Sequence, residues 1–179
     1  MPGPRERLLE AAERLTYDHG TAIGVDALLK AANVARRSLY EHFGGKDGLL
    51  AEVLRRTAEE DLTKYAATMD RAGEDPRTRL LAIFDELDRV VATPTFRGCR
   101  YLAADLSLAP DHPAHEVTRT YRTRLHALLH AELDRLNHPS PTTAADQLHL
   151  LIEGVLATGA ANPGTHPGQA AKALAATIL

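Results

Sequence analysis

The sequence predicts an all-α chain in two parts. An N-terminal three-helix domain containing a helix-turn-helix occupies residues 1–48, and a C-terminal antiparallel helical domain occupies 49–179. Three observations carry that expectation. Apolar residues recur at i, i+3, i+4 and i+7 through most of the chain, the period of a helix with one buried face. Each periodic run is bounded by Pro, Gly or Asn, which interrupt helices. No run of alternating polar and apolar residues lies between turn signals, so no half-buried strand is expected. At 179 residues the chain can bury a substantial core.

Leu8, Leu9, Ala12 and Leu15 give the first helix its apolar stripe, and His19-Gly20 stops it. Val25, Leu28, Leu29 and Ala32 then mark a short helix, interrupted by Asn33-Val34. Asn tolerates the left-handed backbone that a tight interhelical turn needs. From about Ala35 a second short helix turns Leu39 and Phe43 inward, which leaves Arg36, Arg37 and Tyr40 outward beside Glu41. Two short helices about such a turn make a helix-turn-helix, whose second helix fits a major groove. Residues 1–56 hold 9 Lys and Arg against 8 Asp and Glu, residues 57–179 hold 12 against 16, and the net charge is −3. DNA binding therefore has to come from a local arrangement of charge, not from a generally basic chain.

The run SLYEHFGGKDGLL, Ser38 to Leu50, resembles the signature of the TetR family of bacterial transcriptional regulators: an aromatic, a His-Phe pair and a Lys opening the next helix. The resemblance covers roughly Leu8 to Leu54. Gly24, Asn33 and Ala35 stand where that family usually has Thr, Gly and Ser, and Ala35 removes a hydroxyl that caps the helix or meets a phosphate. What the resemblance implies is a double-stranded DNA operator as partner, a homodimer, and a C-terminal domain for ligand binding and dimerisation. The DNA-binding candidates are Arg36, Arg37, Ser38, Tyr40, His42 and Lys46. By resemblance Tyr40, His42 and Lys46 meet the backbone, which leaves Arg36 or Arg37 to pair bidentately with guanine. Glu41 either accepts from a cytosine amino group or pairs with a neighbouring Arg. Arg5 and Arg7 either reach a phosphate or sit at a solvated helix end.

Lys46-Asp47 opens a longer helix carrying Leu49, Leu50, Val53, Leu54, Leu62, Tyr65, Ala66 and Met69, ended by Ala72–Pro76. Leu80, Phe84, Leu87 and Val91 mark the next, closed by Thr93-Pro94. Cys99, Leu102, Ala103 and Leu106 are read as the buried stripe of another, and Val117, Tyr121, Leu125, Leu128, Leu129, Leu133 and Leu136 as that of a long one closed by Asn137–Pro141. In Thr142 to Ala161, Leu148, Leu151, Ile152, Val155 and Leu156 make one apolar face, while Leu150, Gly154, Ala157 and Ala161 make a second on the other side. A helix apolar on both sides is buried on both sides. The residues Leu150, Glu153, Gly154, Ala157 and Ala161, with the Ala-rich last helix from about Pro167, are the expected interface of a twofold homodimer.

For a small-molecule effector the expected lining is Phe84, Phe96, Tyr101, Leu102, Leu106, Tyr121 and Leu125, with Arg97, Asp105, His126 and His149 as orienting polar groups. The effector itself is unknown, and the existence of a pocket follows from the resemblance. Two rival readings stay open: a DNA-binding regulator with no effector, and a helical enzyme or carrier with a vestigial head. No metal or cofactor is expected. The pairs His126/His130 and His112/His115 have no third ligand in sequence, and His115-Glu116 does not continue as H-E-x-x-H. No G-x-S-x-G or phosphate loop occurs, so an enzyme is not expected. Cys99 is the only cysteine and reads as a small core filler. One cysteine makes no intrachain disulfide, and no apolar run is long enough to span a bilayer, so the expected location is the cytoplasm.

Overall fold

A computed structural model describes residues 2–179. Among them are nine α-helices and no strand: α1 (Pro4–His19), α2 (Val25–Ala32), α3 (Arg36–Phe43), α4 (Lys46–Arg71), α5 (Pro76–Val91), α6 (Arg100–Ser107), α7 (Ala114–Arg135), α8 (Pro141–Ala161) and α9 (Pro167–Ile178). No described helix is long and apolar enough to cross a membrane. The chain packs as two compact units. One takes the chain up to Glu59 together with Arg100–Thr120; the other takes Glu60–Cys99 and Tyr121–Leu179. Both α4 and α7 have residues in each.

The first unit is built on a core of Leu8, Leu9, Ala12, Leu28, Leu29, Leu39, Leu49 and Val53, with Leu15, Val34 and Phe43 packed against it. The turn between α2 and α3 forms as its residues dictate. Asn33 is left-handed at φ 51° and ψ 54°. Its N–H donates to the Lys30 carbonyl, and the Val34 N–H donates to that of Leu29, both at 3.2 Å. This paired pattern satisfies the last carbonyls of α2 and reverses the chain within two residues. After α3, Gly44 (φ 71°) and Gly45 (φ 139°) make a second sharp turn into α4. Gly48 allows α4 to approach α3: a Cβ on it would lie 1.9 Å from the Phe43 carbonyl oxygen.

One expectation is corrected in this unit. Leu102 and Leu106 are exposed, and α6 instead buries Tyr101 and Ala104. A helix of two turns carries Cys99/Leu102/Leu106 and Tyr101/Ala104/Leu108 with similar periodicity. Polar contacts accompany the observed choice: Arg100 stacks over Tyr17, with its Cζ 4.1 Å from the ring centroid, and reaches Glu13 at 3.2 Å. At the other end Ser107 shares a hydrogen bond with Thr21 at 2.8 Å.

In the second unit α5, α8 and α9 pack against one another. Leu80, Phe84, Leu87, Val91, Tyr121, Leu125, Leu129, Leu133, Leu148, Ile152 and Val155 are buried, as expected of α5, α7 and α8; Ile83 joins them, while Leu128, Leu136, Leu151 and Leu156 are half-buried. Small residues set the spacing. A Cβ on Gly159 would lie 2.6 Å from the Val91 Cβ, and one on Gly168 would lie 2.5 Å from the Asp88 Cβ. Helix ends in this unit are capped both locally and from other helices. Asp75 accepts from the Thr78 N–H at the start of α5, and the last turn of α9 gives its carbonyls to Arg77 and His138. Arg79 closes the end of α4, donating to the Met69 and Gly73 carbonyls at 3.1 Å and to Asp70 and Glu132 at 2.9 and 3.0 Å.

Candidate nucleic-acid interface

The exposed side of α3 is placed by its buried side. Leu39 is fully buried and Phe43 packs at the edge of the same core, so the remaining positions of an eight-residue helix turn to solvent. Arg36, Arg37, Tyr40, Glu41 and His42 are all exposed, and Ser38 is half-buried. No side chain caps the helix, because Ala35 occupies the cap position; the Ser38 N–H donates to the Ala35 carbonyl at 3.0 Å. Tyr40 is 56% exposed, with its ring against Gly45. The His42 ring meets Phe43 edge-on, with centroids 6.2 Å apart. Lys46 is the half-buried first residue of α4. The six residues expected to meet DNA thus lie on α3 and the first position of α4. An exposed phenol, an imidazole, a lysine and two guanidinium groups beside a short helix can donate to phosphate oxygens and base edges.

Both arginines on this side are paired with acids. Arg36 Nη2 donates to Asp26 Oδ1 of α2, and Arg37 Nε donates to Glu41 Oε1, each at 2.5 Å. Sequence reading left Glu41 with two roles; in the free chain it pairs with Arg37. Arg5, at the start of α1, is also engaged. It reaches Glu52 at 2.5 Å and lies 5.6 Å from the Phe43 ring centroid, so it braces the end of α3 against α4. The i, i+4 spacing of Arg37 and Glu41 is visible in sequence; the Arg36–Asp26 pair, across the turn, is not.

The residues expected around an effector divide between the two units. Tyr101, Leu102, Asp105 and Leu106 lie in the first, where Asp105 accepts from Thr118 Oγ1 at 2.7 Å and contacts His115 Nδ1 at 2.9 Å. The Asp105 carboxylate and the Ala109 carbonyl hold the His115 imidazole above its ordinary pKa. The others lie in the second unit. Phe84, Tyr121 and Leu125 are buried, Phe96 is half-buried, and exposed Arg97 folds back onto the Pro94 carbonyl at 2.9 Å. His126 faces Asp146 at 3.2 Å, and His149 lies 3.8 Å from Glu153.

That contact, with nearby Arg122 and Cys99, holds the Glu153 carboxyl below its usual range against the effect of burial. Burial foremost pushes the Tyr65 phenol far above its usual range. Glu153 is thus part of a half-buried polar group at the edge of α8's exposed face. That face carries Leu150, 72% exposed, with exposed Gly154, Ala157 and Ala161. Glu153 sits half-buried beside that face. The His126 and His130 rings are 6.1 Å apart, and among the described residues no three His, Cys, Asp or Glu side chains are arranged to hold a metal.

Residues 8–53 match the sequence pattern of the bacterial regulatory proteins of the tetR family. Over most of its length the chain is similar to the HTH-type transcriptional regulator BetI of Burkholderia ambifaria, 31% identical and covering 96% of this chain and 89% of that protein. It is also similar to the HTH-type transcriptional regulator YjdC of Escherichia coli, 26% identical over 98% and 93%. Among solved structures, a tetR-type transcriptional regulator of Streptomyces avermitilis is 35% identical and superimposes with a TM-score of 0.78, covering 97% of this chain and 98% of that one. The reduced form of E. coli NemR shares the fold, with a TM-score of 0.83 at 22% identity over 98% and 97% of the two chains.

Proposed function

This chain belongs to the TetR family of bacterial transcriptional regulators, and on that premise we propose that it is a homodimeric repressor, released from a pseudo-palindromic operator when a small molecule binds its C-terminal domain. The observation that carries the reading is α3 itself: Leu39 anchors it while Arg36, Arg37, Tyr40 and His42 face solvent together. In this reading α3 enters the major groove. Tyr40, His42, Ser38 and Lys46 fix its position through phosphates, and the arginines read guanine.

The exposed Leu150, Gly154, Ala157 and Ala161 of α8 support a second copy as the partner of that face. Small residues permit close helix approach, and Leu150 and exposed Leu174 of α9 supply apolar area. A twofold dimer would present its two α3 helices to successive major grooves about 34–36 Å apart. A small molecule favouring another spacing of those helices weakens DNA binding. By linkage DNA weakens the binding of that molecule by the same factor, typically about 5- to 150-fold.

Selection of random duplex DNA by the purified protein tests this reading. The expected result is an enriched pseudo-palindrome, bound by a dimer or a pair of dimers, and loss of that preference when Arg36 and Arg37 are both replaced by Ala. Unchanged affinity and salt slope in the double variant would remove α3 as the reading element.

A further inference from the structure

The two arginines at the start of α3 are held in different ways. Arg36 gives the end of its guanidinium, Nη2, to Asp26 of α2, and its side chain is 54% exposed. Arg37 gives only Nε, to Glu41 one turn along its own helix, and its side chain is 86% exposed. A guanidinium recognises guanine by presenting two parallel N–H groups to O6 and N7. Arg37 keeps its whole Nη1/Nη2 edge for that purpose. Arg36 shares its Nη2 end with Asp26, so its guanidinium is held from the side of α2.

The Arg37–Glu41 pair is poorly explained as helix stabilisation. Acid before base is the better order at i, i+4, and here the base comes first. Arg37 lies in the first turn of α3, near the positive end of the helix dipole, and Glu41 lies in the last turn, near the negative end. The pair is open to solvent, where ion pairs contribute little. Glu41 also places a negative charge on a face that approaches phosphates, which lowers affinity for any DNA. A carboxylate unfavourable on each of these counts is accounted for if it restricts a flexible guanidinium to one orientation before the base arrives.

We propose that Glu41 is a positioning residue for base readout: it holds Arg37 by Nε so that the free Nη edge of Arg37 reads guanine, while Arg36 stays tied to α2. The proposal rests on the reading of α3 as the recognition helix. It departs from direct recognition by Glu41, in which the carboxylate would itself accept from a cytosine amino group.

The test uses the full-length dimer and the duplex recovered by selection. Each base pair of the half-site is exchanged in turn, and a random duplex serves as the non-specific probe. The variants are Arg37→Ala, Glu41→Gln and the two combined, with helicity checked by circular dichroism. Arg37→Ala is expected to abolish the guanine preference at one position of each half-site. Glu41→Gln should weaken the preference at that same position about three- to tenfold, a fraction of what a bidentate contact provides.

Its affinity for the random duplex should stay level or rise, a separation that a merely structural role for Glu41 would not produce. In the combined variant the Glu41 substitution should have no further effect on base preference. A Glu41→Gln protein with its guanine preference intact would overturn the proposal. So would a cytosine preference that survives Arg37→Ala and disappears in the combined variant. If Arg37→Ala keeps every base preference, the assignment of α3 fails first and takes the proposal with it.

Discussion

Gly168 lies directly against Asp88. Its N–H donates to Asp88 Oδ1 at 2.9 Å, and a Cβ on it would come within 2.5 Å of the Asp88 Cβ and 2.6 Å of the Phe84 carbonyl oxygen. One carboxylate on α5 thus caps the first turn of α9, and the absence of a side chain lets the two helices meet. Gly168→Ala is expected to destabilise the second unit by about 2–3 kcal/mol through overpacking. Asp88→Ala leaves a buried N–H without its acceptor, at about 1–3 kcal/mol. Burial opposes ionisation of Asp88, but bonds from His166, Gln169 and Gly168 outweigh it and keep the pKa below the ordinary 3.8. A depressed acid stabilises the fold above its unfolded pKa and loses that contribution as pH falls through its folded value. Chemical denaturation from neutral pH to below about pH 4 should therefore show the wild type losing stability faster than Asp88→Ala. Parallel losses would mean that Asp88 is not the group responsible.

How much of this was legible depends on whether the cause of each feature is local. The α2–α3 turn could be read because the left-handed residue is Asn33 itself, and the burial of Leu39 followed from spacing within one helix. The stripes of α5 and α7 were legible because several turns repeat them. The face of α6 was not, since two turns leave the choice to partners such as Tyr17 and Thr21, distant in sequence. Asp88 gave no signal at all: its reason for being buried lies 80 residues further on, at Gly168. At the candidate DNA interface, which residues face outward was readable, but which partner each arginine takes was not, because Asp26 and Glu41 are equally plausible acids nearby.

Gly48 carries a second close approach. A methyl group there would sit 1.9 Å from a backbone carbonyl, that of Phe43, which cannot rotate away as a side chain does. Gly48→Ala must push α4 off the end of α3, although Ala is otherwise the better helix former. Thermal unfolding is expected to report a loss of about 1–3 kcal/mol or more, with DNA affinity falling alongside. A variant as stable as wild type would mean that the two helix ends are not as close as described.

Arg79 joins three helices through four groups, and its side chain is only 11% exposed, as against 8% for its partner Glu132. Arg79→Met keeps much of the packing but leaves the Glu132 carboxylate with Arg135 as its remaining cation. Breaking a buried pair from one side costs about 3–5 kcal/mol, and the surviving partner places the expected loss near the lower end. Arg79→Met with Glu132→Leu should recover part of that loss, because two apolar groups leave no buried charge behind. Urea denaturation of the four proteins measures the coupling, and additive effects would show the pair to be energetically idle.

The exposed face of α8 makes the strongest demand on the proposed assembly. In one chain Leu150 is 72% exposed on a side otherwise made of Gly and Ala, so placing charge there disturbs no internal packing. Leu150→Glu combined with Ala157→Glu is expected to leave helicity unchanged while sedimentation equilibrium reports half the wild-type mass. Each monomer then carries a single α3, and the second half-site must be found from solution instead of from a tethered copy. Affinity for the full operator should fall by at least about a hundredfold, with less change on an isolated half-site. If the double variant remains a dimer, α8 is not the interface. If it becomes a monomer that binds the operator as before, the site is not read by two α3 helices at once.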